Sequence, residues 1–311
     1  MLNNKKNLMG FMLYGIFNYA QAEVLVILPE SGPMARAGLS IKQGFMSAYQ
    51  ASGMKTPIKF VNSDQKPMAQ LLKRHVNKST QMIVGPLARN DVDALIQANL
   101  KLRILALNDV SNQAENVWQF SLSKKQDADA LNQVLKQDKI KQLYVLRQKG
   151  SEAESELFLM SLMGETQHAI RIVEEVPQKL TKQQGLLLLG KHEWIKRLIK
   201  LPTQHIYVLA NAIEQDQTIP QGVKFCDAPA LYSSVWPDLI HAYQQNPVAM
   251  SYQRLLAFGG DAWQISQQYL QAPHLSSLEF QGRTGLIQMS DHQIHRVPHC
   301  YENTHKGLKV L

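Results

Sequence analysis

Cysteine occurs only twice in the 311 residues, and the most apolar stretch, residues 8–17, is well short of a bilayer span. A spanning helix takes roughly 20 apolar residues, so a transmembrane segment is excluded for the mature chain. Charged residues make up 19% and no long low-complexity tract occurs, while 45% of residues are hydrophobic. That composition argues against disorder and allows a sizeable core. Aromatics are 7%, and lysine and arginine are scattered without a dense basic stripe. A nucleic-acid surface interleaves basic and aromatic side chains, so no nucleic-acid partner is expected. No G-x-S-x-G elbow, H-E-x-x-H pair or phosphate-binding loop occurs. Each is a compact signature of one catalytic class, and without them the chain reads as non-catalytic, with no cofactor.

What is present begins with a leader. Lys5 and Lys6 form a basic start, residues 8–17 an apolar core, and Ala20-Gln21-Ala22 supplies small residues for a signal peptidase. This is a secretory pattern, so residues 1–22 are expected to be a signal peptide cleaved after Ala22, sending the chain to the periplasm. No cysteine follows the apolar core to accept a lipid. Removing the leader lowers the formal charge from +8 to +6, because it holds two lysines and no acids. Both cysteines, Cys226 and Cys300, lie beyond it. In an oxidising compartment they are candidates for a disulfide, the alternative being two separate buried thiols.

The chain then alternates apolar runs with amphipathic stretches. Val24-Leu25-Val26-Ile27-Leu28 is continuously apolar, the habit of a strand buried on both faces. A turn at Glu30-Ser31-Gly32-Pro33 follows, then helical spacing through Ala37, Ile41, Phe45, Ala48 and Tyr49. Further strands are expected at 57–61, 81–84, 103–107 and 118–122, with helices between them, the second of which starts near Asn90 as an N-cap. The alternation restarts near residue 123, with strands at 142–146, 169–173 and 205–209 and helices at 127–135, 152–163 and 183–201. A short strand is expected at 229–232, a helix resuming at Ala262 after Gly259-Gly260-Asp261, and a hairpin from 285–289 and 293–297 around Ser290-Asp291-His292. Strand–helix alternation of this kind builds parallel sheets with right-handed crossovers. The expected fold is α/β and two-lobed, each lobe a doubly wound, mainly parallel sheet. Lobe 1 takes 23–121 with about 233–278, and lobe 2 takes 122–232 with about 279–311, the C-terminal hairpin included.

The opening, Leu28-Pro29-Glu30-Ser31-Gly32-Pro33-Met34-Ala35 with Gly38 and Gly44-Phe45, resembles that of type I periplasmic binding proteins of the Leu/Ile/Val-binding class. Five further pieces occur in order: Ile83-Val84-Gly85-Pro86-Leu87, Leu105-Ala106-Leu107-Asn108, Phe120-Ser121-Leu122-Ser123, Ala257-Phe258-Gly259-Gly260-Asp261-Ala262-Trp263 and Phe280-Gln281-Gly282-Arg283-Thr284-Gly285. Together they are similar to the C-terminal domain of the LpoA (YraM/LppC) family of penicillin-binding protein activators. The resemblance implies two lobes around a cleft and a partner, a class A penicillin-binding protein whose peptidoglycan synthesis is stimulated. The alternatives are a solute-binding protein of an ABC transporter, with an amino-acid-like ligand, and a scaffold for another envelope protein.

Ligands of doubly wound sheets sit beyond the carboxyl ends of the strands. The cleft candidates are therefore Ser31, Gly32, Gly85, Pro86, Asn108, Asp109, Ser121, Ser233 and Asp261, which offer amides and hydroxyls to a small polar ligand or a partner loop. The same residue types serve as turn formers and helix caps; Asp261 in particular reads as the N-cap of the Trp263 helix. Amino-acid binders of this class hold their ligand with hydroxyl residues after the third and fourth strands. Here those places read Leu87-Ala88-Arg89-Asn90 and Asn108-Asp109-Val110. Arg89 can hold a carboxylate, but the Ser/Thr pair is missing, which weighs against amino-acid capture. His292, His295 and His299 gather near the terminal hairpin, with 295 and 299 on one face of a regular strand, yet no carboxylate joins them and no metal site is assigned.

Overall fold

The computed structural model describes residues 23–165, 168–215, 217–272, 275–290 and 293–311. The leader, and Asp291 and His292 of the expected turn, lie outside the described residues. The first half alternates β1 (Glu23–Leu28), α1 (Ala35–Ser52), β2 (Ile58–Asn62), α2 (Met68–His75), β3 (Thr80–Val84), α3 (Arg89–Gln97), β4 (Arg103–Ala106) and β5 (Val117–Gln119). The middle follows with α4 (Lys124–Gln137), β6 (Gln142–Arg147), α5 (Glu152–Glu165), β7 (Ala169–Val173), β8 (Gln184–Leu189), α6 (His192–Arg197), β9 (Ile206–Val208) and β10 (Val223–Asp227). Then come α7 (Pro237–Gln245), α8 (Met250–Gln271), β11 (Leu278–Gln281), β12 (Leu286–Ser290), β13 (Gln293–Val297), β14 (His299–Thr304) and β15 (Gly307–Val310).

These strands form two sheets. One has the order β11-β12-β13-β5-β4-β3-β1-β2, the other β15-β14-β10-β9-β8-β6-β7. Pairing is parallel among β1 to β5, among β6 to β10, and between β13 and β5; it is antiparallel at β11-β12-β13 and β10-β14-β15. The chain passes between the sheets three times: after β5, after β10 and after β13. Each sheet is covered on both faces, which is why β1 and β8 read as unbroken apolar runs. Val24, Val26 and Leu28 of β1 pack towards α1 and α8, while Leu25 and Ile27 face the helices α2 and α3. In the second sheet Leu187 and Leu189 join the α4 and α5 side, and Leu186 and Leu188 the other.

Helices α1 and α8 meet at two glycines. A Cβ on Gly44 would stand 1.8 Å from the Leu256 carbonyl oxygen, and one on Gly259 would stand 2.0 Å from that of Ile41. Only a bare Cα permits that approach, and it brings Trp263 against Phe45 and Tyr49, with edge-on centroids 5.3 and 4.9 Å apart.

Several sequence expectations need correction. The apolar run at 186–189 belongs to the buried strand β8, and helix is confined to α6; a run apolar on every side fits a doubly covered strand as well as a helix. Residues 229–231 form a 3-10 turn, not a strand. Helix α3 starts at Arg89, with Ala88 at its cap. Helix α8 runs without a break through Gly259-Gly260-Asp261, so Asp261 is neither an N-cap nor a strand-end residue. Residues 278–297, expected with the second lobe, extend the first sheet, and only β14 and β15 join the second. Among the described residues no helix is long and apolar enough to cross a membrane.

Candidate functional site

The ends of β3, β4 and β5 and the start of α4 open on a cleft of about 430 Å3. Leu87, Arg89, Leu107, Asn108, Asp109 and Ser121 line it from the first lobe, Leu255 and Phe258 from α8, and Leu157 and Ser161 from α5 of the second. Four of the sequence candidates, Arg89, Asn108, Asp109 and Ser121, are thus brought together. Their polar groups are largely committed to the protein itself. The Asn108 side chain donates to the Leu87 carbonyl at 2.9 Å and accepts from the Asp109 N–H at 2.9 Å. The Arg89 guanidinium lies 3.6 Å from the Asp109 carboxylate, with both side chains about half exposed, so solvent screens the pair strongly. Ser121 is buried at 8% exposure.

The other candidates are elsewhere. Ser31 and Gly32 do not line the cleft and are tied to the end of β2 instead. The Ser31 hydroxyl donates to Asp64 and accepts from the Asn62 amide, both at 2.9 Å. A Cβ on Gly32 would stand 2.6 Å from the Asp64 carboxylate. Burial pushes the Asp91 carboxyl above its usual range, and the charge of Asp64 adds to that. Gly85 and Pro86 are buried and joined by a cis peptide; a Cβ on Gly85 would meet the Ile27 carbonyl oxygen at 2.0 Å. Ser233 lines a separate pocket beside α7.

Asp261 is fully buried in mid-helix. Its carboxylate accepts from the Arg283 N–H at 2.7 Å, the Thr284 N–H at 2.8 Å and the Thr284 hydroxyl at 2.7 Å. Burial raises this carboxyl, against the pull of the Arg283 charge and the Thr284 hydrogen bonds. Arg283 in turn grips Asp238 of α7, at 2.7 Å through one terminal nitrogen. The two sequence pieces, 257–263 and 280–285, are thus one structural staple pinning the β11–β12 turn onto α8.

Cys226 and Cys300 are joined in a disulfide, opposed on the antiparallel strands β10 and β14. His295 and His299 do not share a face: they sit on strands of different sheets. Burial lowers the His299 pKa, and among the described residues no group of His, Cys, Asp and Glu could hold a metal.

Sequence reasoning missed the far wall of the cleft. Helix α5 reads Leu157-Phe158-Leu159-Met160-Ser161-Leu162-Met163. Phe158, Leu159 and Leu162 are buried, whereas Leu157, Met160 and Met163 are more than half exposed. An apolar run from Leu157 to Met163 that covers more than one face of a helix was the available signal.

Residues 6–160 match the family model described as "LppC putative lipoprotein". A penicillin-binding protein activator LpoA of Glaesserella parasuis is 24% identical over 294 residues, covering 85% of this chain and 50% of its own length. The chain spans about half the length of the curated relatives it matches. Among solved structures, the LpoA (YraM) C-domain of Haemophilus influenzae, described as a regulator of PBP1A, superposes with a TM-score of 0.73 at 18% identity, covering 93% of this chain and 100% of that one. A "putative branched-chain amino acid ABC transporter" protein of Chromobacterium violaceum gives 0.72 at 18% identity, covering 90% and 99%. The fold is that of the type I periplasmic binding proteins, and the first half of the chain, residues 6–160, is similar to the LppC family.

Proposed function

We propose that this domain is a non-catalytic regulator in the periplasm that binds a class A penicillin-binding protein and stimulates its peptidoglycan synthesis. The observation that carries the reading is the self-satisfied cleft. Asn108 is spent on Leu87 and Asp109, Arg89 is paired with Asp109, and leucine and alanine stand where a solute binder of this fold places hydroxyls. Asn108 and Arg89, spent on their neighbours, offer little to a zwitterion, whose desolvation at that wall of the cleft then goes uncompensated. The names of the relatives, penicillin-binding protein activators, support the same reading. The exposed Leu157, Met160 and Met163 of α5 offer apolar surface for a macromolecular partner.

The second reading, capture of a small polar solute, has the volume of the cleft in its favour. Titration of the protein with the periplasmic part of a class A penicillin-binding protein from the same cell, with glycan polymerisation and crosslinking followed in parallel, separates the two. Saturable binding with faster synthesis is expected. No binding, together with a rise in melting temperature from one amino acid or muropeptide, overturns the proposal, because a ligand held only by the folded state stabilises it.

A further inference from the structure

A second cavity lies apart from the cleft and shares none of its lining residues. It is a half-open pocket of about 480 Å3, within the roughly 300–1,000 Å3 of small-molecule sites. One wall is the loop that follows β9 in the second lobe, with Ile213 and Ile219; the opposite wall is Leu239 and Ile240 of α7 with Met250 and Leu256 of α8. The floor is the second crossing, at Ala230 and Leu231. The cavity therefore lies where the lobes are joined, on the other side of α8 from the cleft: Leu255 faces the cleft and Leu256 this pocket.

Its polar groups are few and ordered. Gln215 Oε1 accepts from the Tyr243 hydroxyl and from Gln253 Nε2, both at 2.9 Å, and Gln253 also donates to the Val248 carbonyl at 3.0 Å. Ser233 Oγ accepts from the Val235 N–H at 3.3 Å, which leaves its own O–H to donate. Among the described lining residues the single charge is Glu214, and no lysine, arginine or histidine is present. An anion placed here would be desolvated without a counter-charge and beside a carboxylate, at a large cost.

We propose that this pocket is a binding site for neutral or cationic amphipathic small molecules, with a compact apolar body seated on Ile213, Leu239, Ile240 and Leu256 and a hydrogen-bonding group at the Gln215–Tyr243–Gln253 cluster. Because its walls belong to both lobes, occupancy ties Ile213 and Ile219 to α7 and stiffens the joint. The site is independent of the partner proposed above, so it stands or falls on its own.

Two fluorescent probes with the same ring system test it: neutral N-phenyl-1-naphthylamine and its sulfonated counterpart, 1-anilinonaphthalene-8-sulfonate. The neutral probe is expected to bind the full protein saturably and one-to-one, and the sulfonate at least about tenfold more weakly, from the cost of burying an unpaired charge. Ile240→Trp should fill the pocket and abolish binding. Ser234→Trp, at the exposed mouth, gives the same test without touching the core. Glu214→Lys should narrow or reverse the preference between probes, and Leu157→Ser, in the cleft, should change nothing. The proposal is overturned if neither probe saturates, if binding survives both tryptophans, if Leu157→Ser removes it, or if the sulfonate binds as tightly to the unaltered protein.

Discussion

Arg254 provides the sharpest test of how the two lobes are held. It projects from α8 of the first lobe to Asp227 at the end of β10 in the second, with Nε 2.8 Å from one carboxylate oxygen and a terminal nitrogen 2.6 Å from the other. The same terminal nitrogen donates to the Ala210 carbonyl at 2.7 Å. Asp227 is 4% exposed and also accepts from the Ala228 N–H and the Tyr232 hydroxyl. Burial and the adjacent Asp227 charge push the Tyr232 phenol far up, so it remains a donor at every ordinary pH. Arg254→Met keeps the apolar stem and removes the charge. Breaking one side of a buried pair costs roughly 3–5 kcal/mol, and the two surviving donors to Asp227 place this case at the lower end, about 3 kcal/mol. Urea unfolding followed by tryptophan fluorescence measures it. Asp227→Asn combined with Arg254→Met removes the stranded charge, so the double variant should lose about 1–2 kcal/mol less than the sum of the single losses. A single loss under about 1 kcal/mol, or strict additivity in the double, would refute the idea that this pair is a desolvated clamp between lobes.

Two further outcomes follow from backbone and crosslink. Gly259→Ala puts a methyl 2.0 Å from the Ile41 carbonyl and must push α1 from α8, costing about 3 kcal/mol or more as overpacking. Gly164→Ala, with nothing within 4 Å of its Cβ, should instead stabilise α5 by about 0.5–1 kcal/mol; thermal melts of both variants decide whether the glycine at the helix crossing is structural. Replacing Cys226 and Cys300 by serine opens a bridge across a separation of 74 residues, and chain entropy puts the loss near 4 kcal/mol. A melt under reducing conditions should show the same fall in the unaltered protein and none in the double serine variant. His299 gives a pH signature. Burial holds its folded pKa below the ordinary histidine value, so the unfolded chain takes up the proton first and stability falls as pH drops from about 6.5 towards the folded pKa. Compared with His299→Gln, the unaltered protein should lose stability over that window and show no difference above it.

The parallel strands were legible because burial on both faces leaves a continuous apolar run that few other elements produce. That held for β1, β3 and β6 and failed for β8, where Leu186 to Leu189 also match a helix period. The interrupted helix expected at Gly259-Gly260 failed for a different reason. Two glycines usually signal a break, but here a neighbouring helix needs the space, and that partner lies about 200 residues away in sequence. The candidate site was half legible. Arg89, Asn108, Asp109 and Ser121 follow strands and so could be placed at a sheet end, whereas Leu157 and Ser161 reach the cleft only through the way the second lobe faces the first. Asp261 read as a cleft candidate or an N-cap because it is a carboxylate beside glycines; its three donors come from residues 283 and 284, which local sequence does not reveal.

The distribution of buried charge bears on which reading of the fold is right. Arg254, Arg283 and Arg296 are buried arginines that each meet an aspartate. Arg254 meets Asp227 beside the second crossing, and Arg283 meets Asp238 of α7, just beyond it. Arg296, near the end of β13, meets Asp127 in the first turn of α4, which joins the first crossing to the third. A buried ion pair costs desolvation and adds little net stability, so its use is to fix geometry. A solute binder must instead close and open around its ligand, and it places its buried polar groups where that ligand will sit. In this chain Arg254–Asp227 and Arg296–Asp127 hold the joints, Lys224–Asp138 and Arg147 with Glu156 brace the second lobe, and the cleft carries a screened Arg89–Asp109 contact with Lys124 and Lys125 among its lining residues. That arrangement favours a unit that presents a fixed pair of lobes to a partner over one that clamps and releases a small polar molecule.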